Sequence, residues 1–297
     1  MPEESGRPKR AGVLAQFARL GISTLVPVSF WRRDRPWTIA SVQWFLFFTL
    51  FPLFLVAWTS LTGSEFADVA YLYGIYFATM WGLVIWLFVR PEKIGLLDVV
   101  RVSLFTSITG AFIVGFLYRL PGLSAVLGAT HDPKILVRLP AYVFGVGLLE
   151  ESVKAVPLLW IFVRNREPGT LREISYLGCV SGFAFGVSEA VSYSLFYAQG
   201  VASGSMSLGA FVVVQLTRLI TLPLLHAVFS GVAGVFIALG VETRSLRFAL
   251  ILSGLGLAAL IHGVYNALSG TLLGFAVAVA AVLLFIGYVR GVEEMRI

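Results

Sequence analysis

Three charged residues stand inside an otherwise apolar run, GLLEESVKAVPLL, between Gly147 and Leu159: Glu150, Glu151 and Lys154. Further along, single ionisable or amide residues interrupt comparable runs: Glu189, Arg218, His226, His262 and Asn266. Carboxylates and imidazoles gathered away from water take up and return protons near neutral pH, and an amide or ring N–H donates to a developing oxyanion. That is hydrolytic chemistry. The same residue types are also zinc ligands.

Spacing supports one shared face. Glu150 and Lys154 are i, i+4, Glu151 and Lys154 are i, i+3, and His262 and Asn266 are i, i+4, so each set lines up along a helix. Lys154 neutralises one glutamate and leaves the other without a counter-ion, and a carboxylate in that position serves as a general base. Familiar hydrolytic sites are excluded one at a time. The nearest approach to GxSxG is GVSEA at Gly186, which lacks the second glycine. Asp34, Asp68, Asp98 and Asp132 fall at span ends or in loops, so no intramembrane aspartate pair exists, and no histidine is followed by glutamate as HExxH requires. Cys179 is the single cysteine, which rules out an intrachain disulfide and any CxxC site.

The elements that must carry these residues are membrane spans. The 297 residues are 58% hydrophobic and 13% charged, with a mean hydropathy of +0.88, far from the composition of a water-soluble domain. Taking about 20 residues per span, eight helices are predicted, over residues 38–58, 68–89, 101–119, 140–163, 174–198, 207–240, 246–268 and 271–289. The sixth is too long for a simple crossing and contains Pro223, which predicts a tilt, a kink or a broken pair. Lys and Arg test the count, because cytoplasmic loops are enriched in them. With both termini cytoplasmic, 17 of the 22 fall in cytoplasmic segments and three (Arg119, Lys134, Arg138) in one outer loop, leaving Lys154 and Arg218 inside spans. The chain thus reads as an all-α polytopic bundle in a lipid bilayer: a basic cytoplasmic segment, 1–36, without a removable signal peptide, and a single transmembrane domain, 37–297. The basic residues are spread over short loops, which suits an anionic membrane surface and excludes nucleic acid. Residues 121–139 form an outer segment with an amphipathic stretch of its own.

A charge at mid-bilayer costs about 2.5 to 3.5 kcal/mol on insertion scales and faces a bundle interior or a wet cavity. Here such residues are confined to spans four to seven, and the other four spans read as lipid-facing support. At 1.5 Å per residue the glutamates, Arg218 and His262 come out roughly 10 to 17 Å below the outer ends of their helices, a common layer. On span five, Gly178, Gly182, Gly186, Ala190 and Ser194 recur every fourth residue, a small-residue ridge that lets a neighbouring helix approach closely. Pro157 removes an N–H just past the charges and predicts a local perturbation of span four.

In order and spacing, EESVK (Glu150, Glu151, Lys154), GFAFGVSE (with FxxxE from Phe185 to Glu189), RLITLPLLH (Arg218 to His226) and HGVYN (His262 to Asn266) resemble the PrsW family of intramembrane proteases, distant relatives of the CAAX prenyl endopeptidase and bacteriocin-processing group. The motif-bearing core is about 140–268. Two positions depart from the family pattern: Ala190 stands where asparagine often follows the glutamate, and Tyr265 where tryptophan is common. The resemblance implies an intramembrane endopeptidase of a bacterial or archaeal cell membrane acting on a membrane-anchored protein or peptide. It implies that Glu150 or Glu151 activates a water, that Glu189 and His226 hold it or move its proton, that His262 and Asn266 stabilise the oxyanion, and that Lys154 and Arg218 balance charge.

Two other readings use the same residues. Glu150, Glu151, Glu189, His226 and His262 are a ligand set for zinc, which would make the reaction metal-dependent; a metal-free route is preferred from sequence, because Lys154 and Arg218 sit where they would compete with a cation. A non-enzymatic proton-coupled transporter or membrane binding protein also uses midplane carboxylates and histidines. Against it, the hydropathy shows no inverted repeat.

Overall fold

The computed structural model describes residues 32, 35–62, 66–164 and 169–291, and no strand occurs among them. The basic segment 1–36 therefore lies almost wholly outside the described residues. The chain divides into two units, Met1–Ala57 and Trp58–Ile297, and every site residue belongs to the second. In chain order the helices are α1 (Ala40–Thr62), α2 (Phe66–Val89), α3 (Leu96–Leu117), α4 (Pro121–Gly128), α5 (residues 135–164, helical throughout), α6 (Leu171–Ala202), α7 (Leu208–Glu242), α8 (Arg247–Leu268) and α9 (Leu272–Arg290).

Among the described residues, six helices are long and apolar enough to cross a membrane: α2, α3, α6, α7, α8 with its preceding turn, and α9. They coincide with six of the eight predicted spans. Of the other two, α1 contributes only a shorter apolar stretch, Ala40–Leu55, and α5 carries three charges at its middle. The sixth predicted span is one continuous helix through Pro223 and not a broken pair. Its 35 residues reach about 52 Å, longer than a hydrocarbon core of about 30 Å.

Helix ends follow local chemistry. Thr170 and Glu173 form a reciprocal capping box at the start of α6, and the Glu173 carboxylate also accepts from the backbone N–H of Lys93 at 2.8 Å, tying the α2–α3 turn to that end. Ser207 caps α7 and Thr271 caps α9. Gly270, at φ +78°, makes the turn after α8 that a side chain would resist.

Burial sorts the helices. The most apolar windows of α6 and α7 are 89% and 83% buried, against 17% in α2 and 22% in α9, so α6 and α7 are the inner pair. They touch along the predicted ridge. A Cβ on Gly178 would lie 2.5 Å from the Ser230 carbonyl and one on Gly186 2.8 Å from Pro223 Cα, while Gly182 sits against the backbone of His226 and Ala227. Ala190 continues the ridge, fully buried and packed with Leu219 and Leu222.

Among the described residues three π-helical stretches interrupt α3 and α5: Phe105–Gly110 in α3, and Ala141–Gly147 and Leu159–Arg164 in α5. The last two bracket Leu148–Leu158, the α-helical segment bearing the charges. Pro157 lies two residues before the second of them, where its missing N–H breaks the ordinary ladder. The first is pinned by close approaches: Gly147 lies against the Ala259 backbone, and a Cβ on Gly263 would be 2.5 Å from Val143 Cα. Segment 121–139 is largely helical, with Val126 seated on Gly145.

Candidate active site

Packing of α8 on the π stretch of α5, and of α7 on the α6 ridge, brings four helices to one point. Glu150, Glu151, Lys154, His226 and His262 are each at most 5% exposed. Lys154 Nζ donates to Glu151 Oε1 at 2.7 Å and lies 3.5 Å from Glu150 Oε2. Glu151 has further partners: His262 Nδ1 reaches its Oε1 at 2.9 Å and Ser230 Oγ donates to its Oε2 at 2.8 Å. Both of its oxygens are thus satisfied. Glu150 differs, because Tyr118 donates to Oε1 at 3.0 Å while Oε2 is buried without a hydrogen-bond partner.

The two histidines meet edge to face with ring centres 5.0 Å apart. His262 stacks on Phe229 at 5.1 Å; its Nδ1 is held by Glu151, and in the neutral tautomer with the proton there the free ring nitrogen is Nε2, 3.9 Å from Glu150 Oε2. His226 Nδ1 is 2.7 Å from Lys154 Nζ. An ammonium has only donors, so Nδ1 accepts and the ring proton sits on Nε2. His226 Nε2 lies 2.6 Å from Glu189 Oε2, yet that oxygen has no aligned hydrogen bond and is itself a buried orphan. The contact is close but off the N–H direction. The Glu189 side chain, 23% exposed, is the part of the cluster nearest the surroundings.

One ligand atom each from Glu150, His226 and His262 falls within 4.8 Å of the others, a spacing a divalent ion can bridge. His262 fits such an ion directly, since a metal-bound histidine characteristically donates its other N–H to a carboxylate, as Nδ1 does to Glu151. Glu150 fits through its orphan oxygen. His226 fits in the other tautomer, with its proton on Nδ1 and Nε2 free, which requires Lys154 to release its contact with Nδ1.

Two predicted residues are placed less centrally. Arg218 lies over Tyr193, its guanidinium carbon 3.7 Å from the ring centre, with Tyr197 at 5.5 Å. Among the described residues it makes no ion pair with a carboxylate, so the glutamates are balanced locally by Lys154. Asn266 is half-buried one turn beyond His262 and its amide bonds no described residue. The third histidine, His131, is outside the cluster, its ring beside the Thr130 hydroxyl at 3.2 Å.

Several supporting residues carry no sequence signal. Tyr118, just past α3, brings to Glu150 a helix read from sequence as lipid-facing; this corrects that reading for α3. Ser181 donates to the Lys154 carbonyl at 2.7 Å and is linked to Thr106 of α3 at 2.8 Å. Phe185, unlike these, is legible as the aromatic of the FxxxE motif that ends at Glu189, and sets its ring 4.5 Å from Lys154 Nζ. Hydroxyls such as those of Tyr118, Ser181 and Thr106 are ordinary in apolar helices, and nothing in their spacing marks them.

No curated protein and no solved structure matches the chain significantly. Residues 98–291, well over half of the chain and the part holding every residue of the cluster, match the family described as PrsW family intramembrane metalloprotease. The chain belongs to the PrsW family of intramembrane proteases.

Proposed function

We propose that the protein hydrolyses a peptide bond of a membrane-anchored protein or peptide at the Glu150–Glu189–His226–His262 cluster, and that Glu150, His226 and His262 hold zinc or a similar divalent ion there. The observation that carries this reading is the orphan oxygen of Glu150, buried and converging with two imidazoles. When bound, the ion supplies Lewis acidity toward water and toward the scissile carbonyl. The remaining steps belong to the chain. Glu189, partly exposed and with a free oxygen, takes the proton of the attacking water and returns it to the leaving amine. Lys154, fixed between Glu151 and His226, keeps a positive charge beside the developing oxyanion, and Asn266 adds an amide donor from the next turn of α8.

The metal-free preference drawn from sequence rested on Lys154 and Arg218 competing with a cation. Arg218 is over its tyrosines instead, whereas Lys154 stays beside two of the three proposed ligands, 3.5 Å from Glu150 Oε2 and 2.7 Å from His226 Nδ1. One observation favours a metal-free form of the same reaction, namely the Lys154 contact that places the His226 proton on Nε2. Chelation separates the two. Purified protein in nanodiscs should lose cleavage of a membrane-anchored peptide on treatment with EDTA and regain it with zinc, whereas activity unchanged after chelation would leave the glutamate route. Under either route Glu150→Gln should lower the rate by about 10²- to 10⁴-fold, and a folded Glu150→Gln protein with full activity would sink the proposal.

A further inference from the structure

From Glu189 and His226, the α6–α7 contact continues toward the Leu208 end of α7 as a polar strip. Tyr193 is one turn beyond Glu189, and Arg218 is eight residues before His226, about 12 Å along the helix. Tyr193 and Tyr197 are stacked with ring centres 6.0 Å apart, and both rings flank the guanidinium. Tyr193 is also a hydrogen-bond partner of Arg218 and takes one of its five N–H donors. The guanidinium N–H donors lie in the plane, where a carboxylate takes two at once, and no described carboxylate lies within ion-pair distance. A turn further on, Gln215 is 7% exposed; its amide N–H₂ bonds Ser194, and its carbonyl oxygen is buried without a partner. A half-buried cation with no carboxylate partner, in contact with Tyr193 and Tyr197, and an unpaired buried amide acceptor thus lie in one strip.

We propose that Arg218, held by Tyr193 and Tyr197, is a substrate subsite that takes an acidic side chain of the membrane-anchored substrate. A peptide must be extended for its bond to be attacked, and at about 3.3 Å per residue a span of about 12 Å corresponds to three or four residues. The acid therefore sits three or four residues from the cut bond. This assignment rests on the hydrolytic reading of the Glu150 cluster, and makes Arg218 a specificity residue and not a counter-ion of the glutamates.

The test uses the full chain carrying Glu150→Gln in phosphatidylcholine nanodiscs and fluorophore-labelled single-span peptides. One Glu is moved stepwise along an otherwise constant sequence, and each peptide is paired with its Gln counterpart. At one register the Glu peptide should bind about tenfold more tightly than its Gln partner, the scale of a hydrogen bond to a charged group. Adding Arg218→Gln should bring the two within about twofold. Arg218→Lys, which keeps the charge and loses the planar fork, should also weaken the preference, and carries the comparison if Arg218→Gln does not fold. Equal binding of every pair, or a preference that survives both substitutions, overturns the proposal. So does loss of the preference when phosphatidylglycerol replaces phosphatidylcholine, which would assign the guanidinium to lipid phosphate. Cleavage of the same peptides by the chain with Glu150 intact is read separately: a Glu preference without cleavage counts against the proposed reaction and leaves the subsite standing.

Discussion

Adjacent in sequence, Glu150 and Glu151 have different environments. Glu151 is held by Lys154, His262 and Ser230, so it is a structural hub whose loss strands a buried lysine. Breaking such a buried pair costs about 3–5 kcal/mol. Glu151→Gln should accordingly lower the thermal midpoint strongly as well as activity. Glu150→Gln, which disturbs one tyrosine contact and the longer 3.5 Å approach of Lys154, should melt closer to the parent than Glu151→Gln while losing cleavage. Equal thermal midpoints for the two variants would contradict this division. Tyr118→Phe removes the donor to Glu150 Oε1; it should lower kcat with little change in KM, because it orients a reacting group without touching the bulk of the substrate.

Among the helices, the α6 ridge decides whether His226 reaches the site at all. Gly182 lies against the His226 backbone, and a methyl group there meets main chain that cannot rotate away. Gly182→Ala should therefore separate α6 from α7, with destabilisation of about 1–3 kcal/mol from overpacking and a loss of activity larger than stability alone explains. Gly256→Ala is the control, because nothing lies within 4 Å of a Cβ at that position on α8. Thermal melts and cleavage rates of both variants check it, and a Gly182→Ala protein behaving like Gly256→Ala would show that the close approach is not required.

For the molecule as a whole, an ion bound only by the folded cluster must stabilise the fold. At about 100 times its Kd the gain is about 2.7 kcal/mol, read as a rise in thermal midpoint on adding zinc to chelator-treated protein. His262→Ala removes one ligand and should abolish the rise. A midpoint unmoved by zinc in the parent chain would count against the ligand set independently of any cleavage assay.

The sequence by itself determined that the chain is helical and embedded in a membrane, and which ionisable residues belong together. Apolar runs of span length and the cost of burying charge are local properties, so Glu150, Glu151, Lys154, Glu189, His226 and His262 stood out against them without a fold. The small-residue ridge was legible for the same reason: its period of four is the helix's own. What only the tertiary structure decided is the assignment of partners. Helical spacing lets Lys154 reach either glutamate; the arrival of Ser230 from α7 and His262 from α8, 79 and 111 residues away, satisfies Glu151 and leaves Glu150 with a free oxygen. Arg218 looked equally suited to those carboxylates by depth, but its direction around α7 turns it to Tyr193. Depth along a helix follows from residue number alone, whereas which group faces which across the bundle depends on how the helices pack.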